Sequence, residues 1–312
     1  MPLPVRWRYK LDRWRVAVAG MFRSQRTPPR PRLCPACGTL VGAASSRCHQ
    51  CGASMTFSMA AAGRSLGRFL PATSPVTYAV LTLCSLLYVV SLLATMRRSG
   101  FQAPSGGLGA IFGLGGIDSF ILERMGASLP LPYDIAQPWR LVTAVFLHAS
   151  LLHIGFNMWI LMDLGPILEE LYGSARFFFM FTVTGIAGYV ASSVAGHFSV
   201  GASGALLGMI GVLLALTTSR QSVGMRMLRS QLLYWLVYIA VTGFLLPGVD
   251  NYAHIGGFVS GFLLGKLMID RPPADLSERR RANALGWVAG FAVLASFAFM
   301  LLSYFAAPVV GG

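Results

Sequence analysis

Apolar runs about 20 residues long, parted by short polar breaks, fill the chain from residue 75 onward. They cover 75–96, 144–163, 176–196, 200–219, 230–247, 252–270 and 284–306. A helix needs about 20 predominantly apolar residues to cross a hydrocarbon core of about 30 Å. The pattern therefore predicts seven membrane-spanning helices. One stretch, 97–143, breaks it. It is too polar to span and holds Gly106, Gly107, Gly109, Gly113, Gly115 and Gly116. Its amphipathic piece is Ile117-Asp118-Ser119-Phe120-Ile121-Leu122. The expectation is a loop structure lying in the interface, with Trp139 and Arg140 at headgroup level.

Before residue 75 the pattern differs. Residues 1–32 form a basic tail with interleaved aromatics, among them Trp7, Tyr9 and Trp14. Leu11, Trp14, Val18 and Met21 fall on one helix face. Such a face suits an anionic lipid surface. A plain tail whose charge only sets orientation explains the composition equally well. Residues 33–52 carry Cys34-x2-Cys37 and, after ten residues, Cys48-x2-Cys51, each pair followed by glycine. Two such knuckles present four thiolates, a closed tetrahedral set for structural zinc. About 20 residues cannot build a core alone, so metal would supply most of the folding energy. Disulfides compete with that reading, and a cytoplasmic location disfavours them. The ribbon could bind a cytoplasmic partner, a substrate tail or nucleic acid; only Arg47 lies in its short loops, which makes nucleic acid the weaker of these. Residues 53–74 read as a linker. Cys84, alone in the first span, reads as a small packing residue.

Composition agrees with the hydropathy. Apolar residues make up 55% of the chain and charged residues 12%, against about 25% charged in soluble proteins. Charge then gives direction. Of the 25 Lys and Arg, 12 fall in residues 1–74. With that end cytoplasmic, 21 lie inside, and only Arg97, Arg98, Arg124 and Arg140 lie outside. Lys and Arg accumulate in cytoplasmic segments, so the N-terminus is expected inside and the C-terminus outside.

Direction gives the polar residues of the spans a depth. The second, fourth and sixth spans run from outside to inside. Ser203, in Gly201-Ala202-Ser203-Gly204, and His254 lie a few residues into the fourth and sixth, hence a few Å below the outer interface. His153 and Asn157 are four apart on one face of the second span, somewhat deeper by these edges. Polar side chains inside a bilayer are costly and face the protein interior. Interhelical glue accounts for one of them. Three spans that each place such residues in the outer half point to a site. Gly257, Gly261 and Gly265 follow His254 at intervals of four, and Gly201, Gly204, Gly208 and Gly211 line the fourth span. Small residues let helix backbones approach. A serine hydroxyl needs that closeness to reach an imidazole at about 2.6–3.2 Å. Ser203 is the candidate nucleophile and His254 its base. The Ser203 backbone N–H, the His153 ring and the Asn157 amide are candidate donors to an oxyanion. Asp250 is expected to be solvated in the turn before His254, which leaves a dyad without an acidic third member.

Two other classes fit less well. His148-x4-His153 invites a metalloprotease reading, but helical zinc pairs carry a glutamate between the histidines. A transporter would place its polar residues near the midplane within internal repeats, and no repeat is visible.

Together these residues resemble the rhomboid family of intramembrane serine proteases, over residues 75–306. The matching motifs are Trp139-Arg140, His153-x3-Asn157, Gly201-Ala202-Ser203-Gly204 and Ala253-His254-x2-Gly257-x3-Gly261, in that order. Leu168-Glu169-Glu170-Leu171-Tyr172-Gly173 is similar to the family's Glu-bearing segment after the second span, where Glu169 or Glu170 would brace the loop. The resemblance implies an all-α polytopic fold, a six-helix core plus one C-terminal helix, here preceded by the zinc ribbon. It implies an endopeptidase that needs no catalytic cofactor and cleaves transmembrane substrates near the outer face. Ser203 and His254 would do the chemistry, with His153 and Asn157 at the oxyanion. The architecture favours a bacterial inner membrane. The chain departs at Leu207, where some bacterial members place an aromatic residue four after the nucleophile. The alternative is a catalytically silent relative that binds membrane proteins. Such relatives generally lack the serine or the histidine, and both are present.

Overall fold

The structure is a computed structural model that describes residues 31–34, 39–43, 45–50, 52, 54–55, 74–99, 115–219, 222–245 and 248–306. The tail 1–30, Cys37, Cys51, nearly all of the linker and Gly106, Gly107, Gly109 and Gly113 lie outside the described residues. The chain divides into two compact units, Met1–Ala61 and Ala62–Gly312.

The first unit contains two small hairpins. Strand β1 (Arg32–Leu33) pairs antiparallel with β2 (Leu40–Val41), Arg32 opposite Val41. The Cys34 N–H donates to Thr39 O at 2.7 Å. In the second hairpin Arg47 bridges Ser54, and the Gly52 N–H donates to Cys48 O at 2.9 Å. Cys34, Val41 and Cys48 share one buried centre with Met55 packed on it. So few apolar side chains cannot offset the entropy of ordering the segment.

In the second unit, helix α1 (Pro75–Ser99) is the first span. Three short helices follow in the long loop: α2 (Ser119–Arg124), α3 (Tyr133–Ala136) and α4 (Arg140–Thr143), the last running into a 3-10 turn over Ala144–Phe146. The remaining spans are α5 (Leu151–Tyr172), α6 (Ser174–Val194), α7 (Ser203–Ser219), α8 (Val223–Leu245), α9 (Asn251–Leu267) and α10 (Leu276–Ala306). Thus α1 and α5–α9 form a six-helix core, and α10 packs against α6. The fold is an all-α, multi-pass membrane architecture. Five of the seven spans are long and apolar enough to cross a bilayer. The other two, α7 and α9, have 17 residues each. At 1.5 Å per residue they reach about 25 Å, short of a core of about 30 Å. They are also the most intimately packed pair.

The second span differs from the sequence expectation of 144–163. Residues 144–146 form the 3-10 turn, buried in the core, and the helix starts seven residues later. Ser150 sets that start by accepting the His153 N–H on its side chain. Glu169 therefore lies inside α5 rather than in a following loop. Its carboxylate accepts from the Val76 N–H at 3.0 Å, the Thr77 N–H at 2.9 Å, the Thr77 hydroxyl at 2.9 Å and the Ser174 hydroxyl at 2.6 Å. It caps the first turn of α1 and joins it to α6, whereas Glu170 is exposed. A carboxylate at a helix N-terminus also meets the positive end of the dipole. Glu169→Ala leaves these buried donors unmatched. The expected cost is about 2–4 kcal/mol, read as a lower denaturation midpoint in detergent, while Glu170→Ala stays within about 0.5 kcal/mol of wild type.

Candidate active site

The three histidine- and serine-bearing helices begin at a common end. Ser203 is the first residue of α7, His153 the third of α5 and His254 the fourth of α9. The expectation that His153 sits deeper is thereby corrected, and the reason is the later start of α5.

Local chemistry fixes each start. Asp250 caps α9: its carboxylate accepts from the Tyr252 N–H at 3.0 Å and the Ala253 N–H at 3.1 Å. The turn before α7 rests on Gly201, whose φ of +127° lies in the region that favours glycine. The Gly201 N–H donates to Ala144 O at 2.9 Å, and Gly201 O accepts the Tyr189 hydroxyl at 2.6 Å. A β-carbon on Gly201 would come within 2.6 Å of His153 Nε2. Gly201 thus lets the chain turn and leaves the imidazole its place.

Glycines then set how closely α7 and α9 approach. A β-carbon on Gly257 would run into Gly204 O, and one on Gly261 into Gly208 O. One on Gly204 would sit 3.2 Å from Ala253 O. The backbones touch, and touching backbones suit a short side chain. Ser203 Oγ lies 2.9 Å from His254 Nε2. A proton on Oγ has a short path to that nitrogen.

The other expected residues group around this contact to different degrees. His153 lies beside Gly201, and its Nδ1 accepts the Ala149 N–H at 3.4 Å. Asn157 is buried and donates one amide hydrogen to His153 O at 2.7 Å. Trp139 and Arg140 are not arranged for lipid headgroups. Arg140 is buried and holds the long loop together. It donates to Gln137 Oε1 at 2.7 Å, Glu123 O at 2.6 Å and Ala127 O at 3.2 Å, and stacks over the Trp139 ring.

Asp250 is a correction. It is not solvated: besides capping α9 it accepts the Ser192 hydroxyl, and its other oxygen lies 3.4 Å from His197 Nδ1. Burial pushes its carboxyl up, but the bonds from Ser192, the Ala253 N–H and Ser199, with His197 beside it, hold it below the usual carboxylate range. It braces the helix that carries His254 without bonding the imidazole. Leu207 is buried. The histidine ring contacts are His148 with His153 and His197 with Tyr252, and among the described residues none involves His254. The aromatic support absent at Leu207 has no substitute there. His254 is held instead by the backbone packing of α9.

A family model of the rhomboid domain matches residues 136–271, the stretch that holds every residue of this contact. Residues 136–271 form a rhomboid domain. RHOMBOID-like protein 1 of Arabidopsis thaliana is 35% identical over 178 residues, 56% of this chain and 46% of its own length. Rhomboid protease GluP of Bacillus subtilis is 36% identical over 148 residues, 47% of this chain and 29% of its own. Rhomboid-type serine protease 2 of Emericella nidulans is 34% identical over 173 residues, 53% of this chain and 33% of its own. The chain thus spans less than two thirds of each of these relatives.

Several residues of this rhomboid domain escaped the sequence reading. Tyr189, buried in α6, clamps the Gly201 carbonyl, two residues before the serine. Ser192 and His197 hold Asp250. His148, noted in the sequence only as half of a possible metal pair, is wholly buried and lies edge-on to His153. Tyr189 had no signal in sequence, because its partner is a backbone carbonyl. Ser150 did: a serine directly before an apolar helical run is an N-cap signature.

Proposed function

We propose that this protein is an intramembrane serine endopeptidase with Ser203 as nucleophile and His254 as general base. The observation that carries this reading is the 2.9 Å contact between Ser203 Oγ and His254 Nε2, made between two helices packed through glycine. Ser203 Oγ attacks the scissile carbonyl carbon while its proton passes to His254 Nε2. The same nitrogen returns that proton to the leaving amine, and water then cleaves the acyl-enzyme by the reverse use of the base. The Ser203 N–H, the His153 ring and the free amide hydrogen of Asn157 are the donors nearest to the developing oxyanion. The substrates are transmembrane proteins. A helical segment must unwind first, because its carbonyls are committed to its own hydrogen bonds.

The Lys and Arg bias supports a dyad near the outer face, with the N-terminus cytoplasmic and the C-terminus outside, and the architecture favours a bacterial inner membrane. The short α7 and α9 let water reach that end. Names that relatives carry, Rhomboid protease GluP and Rhomboid-type serine protease 2, support the protease class. Purified protein in detergent should cleave a model transmembrane substrate and label with a fluorophosphonate. Identical behaviour of wild type and Ser203→Ala in both assays would favour the silent, membrane-protein-binding alternative.

The N-terminal unit serves as a structural zinc ribbon. Cys34 and Cys48 are buried together, each directly after the first strand residues of its hairpin, a position that suits a thiolate knuckle. With Cys37 and Cys51 they make up the ligand set, and the metal supplies the folding energy of the segment. Its surface then offers a docking point for a cytoplasmic protein. Wild type should carry about one zinc per chain by atomic absorption and the Cys34→Ser/Cys48→Ser variant none. Metal-free wild type, purified without chelator, would end this reading.

A further inference from the structure

The α5–α8 seam is unlike the other helix contacts. Here the backbones scarcely approach, and side chains bridge the gap. Phe156 and Trp159 of α5 face Tyr238 and Trp235 of α8, with ring centroids 6.0 and 5.1 Å apart. One turn beyond Trp159 the seam changes character. Asp163 accepts from Gln231 Nε2 at 2.8 Å and Trp235 Nε1 at 2.9 Å, both on its Oδ2. Asp163 is the only carboxylate in the central turns of the seven spans. It is half-buried, its neighbour Gln231 is exposed on the outer surface of the bundle, and Trp159 beside it is 53% exposed.

The second oxygen decides the matter. Asp163 Oδ1 has no hydrogen-bond partner among the described residues. A carboxylate at bilayer depth is expensive, and membrane carboxyls almost always mark a pairing site or a pathway. In a half-buried seam whose neighbours Gln231 and Trp159 are exposed, such an acceptor is accessible to a donor that arrives from the lipid side. In a bilayer that donor comes on another helix, because only a helix crosses with its own backbone satisfied.

Depth gives the register. His153 lies at the level of Ser203, and Asp163 follows ten residues later in the same helix, about 15 Å further into the membrane. A substrate helix lying along the seam with its scissile bond at Ser203 presents the residue about ten positions further into the membrane to Asp163. The seam is a loose wall of the bundle, whereas α7 and α9, α6 and α9, and α6 and α7 are closed by direct backbone packing.

We propose that Asp163 is a recognition site for substrate transmembrane helices that carry a side-chain hydrogen-bond donor, an amide or hydroxyl, about ten residues from the cleavage point on the membrane side. The donor takes Oδ1, or takes Oδ2 as the exposed Gln231 amide swings away, while Trp235 keeps its bond. This specificity rests on the protease reading, because it takes the seam as the path to Ser203.

The test uses two synthetic transmembrane peptides that differ at that position, glutamine against leucine. Their affinities are measured by fluorescence transfer in nanodiscs on the full chain bearing Ser203→Ala, so that nothing is cut. The glutamine peptide should bind about three- to tenfold tighter, the range of a single interhelical hydrogen bond in a membrane. Adding Asp163→Leu should bring the ratio to about one. Asp163→Asn, which keeps one acceptor oxygen, should retain part of it. If Asp163 only pins α8 to α5, its loss shifts both peptides together and leaves the ratio unchanged, which overturns the proposal. So does equal affinity in the unaltered seam, or no binding of either peptide. Cleavage of the leucine peptide by protein with Ser203 intact is read separately and reports on the protease reading alone.

Discussion

Ser203→Ala, His254→Ala and the double variant are expected to lose the same activity, about 10⁴-fold or more in turnover. The equality matters more than the size. With Oγ and Nε2 2.9 Å apart, the two groups act in one proton transfer, so removing either removes the step. Groups that work as a unit give non-additive losses. What survives in all three variants is the contribution of the oxyanion donors and of substrate binding. Initial rates on a model transmembrane substrate would show it, and fluorophosphonate labelling would fall to background in each. If His254→Ala kept more than about a tenth of the wild-type rate, His254 would not be the base. The next imidazole to test would then be His153, whose ring lies against Gly201.

How much of this was legible in the sequence depended on which partner each residue uses. Ser203 and His254 were readable because their partners are side chains with their own spacing. The glycine rows were readable for the same reason: an interval of four is a helix face whatever it packs on. Tyr189 does its work on a backbone group, the Gly201 carbonyl, and half of the bonds of Glu169 come from the backbone at Val76 and Thr77; a backbone group has no letter in the sequence. The start of α5 was misplaced because hydropathy measures burial and not the direction of the chain. Ala144, Val145 and Phe146 are as apolar as any span, yet they form a 3-10 turn tucked into the core. That slip carried the end of the predicted span to 163, so Asp163 fell at its edge and its place in the middle of the membrane was lost. Asp250 was misjudged in the opposite way. A carboxylate in a turn reads as solvated, but here it caps a helix and meets Ser192 and His197.

Gly257→Ala is expected to destabilise the protein by about 2–4 kcal/mol and to slow cleavage about 100-fold. The added β-carbon would fall on Gly204 O. That oxygen is backbone, in the first turn of the helix that Ser203 opens, so no rotamer change relieves the clash. The two helices must part instead, by about 1 Å, and a displacement of that size at a reacting centre costs about two orders of magnitude in rate. Gly261→Ala meets Gly208 O in the same way, but one turn further from the dyad. It should cost similar stability and less rate, because tilting about the far contact moves the Ser203 end less. Gly155→Ala is the control: a β-carbon there meets nothing within 4 Å, and alanine favours a helix over glycine by about 1 kcal/mol. Denaturation in mixed micelles gives the stabilities and a cleavage assay the rates. If Gly257→Ala matched wild type in both, the distance between α7 and α9 would not be what holds Ser203 against His254. The ordering Gly257 below Gly261 below Gly155 in rate, with the first two alike in stability, separates an effect on alignment from an effect on folding.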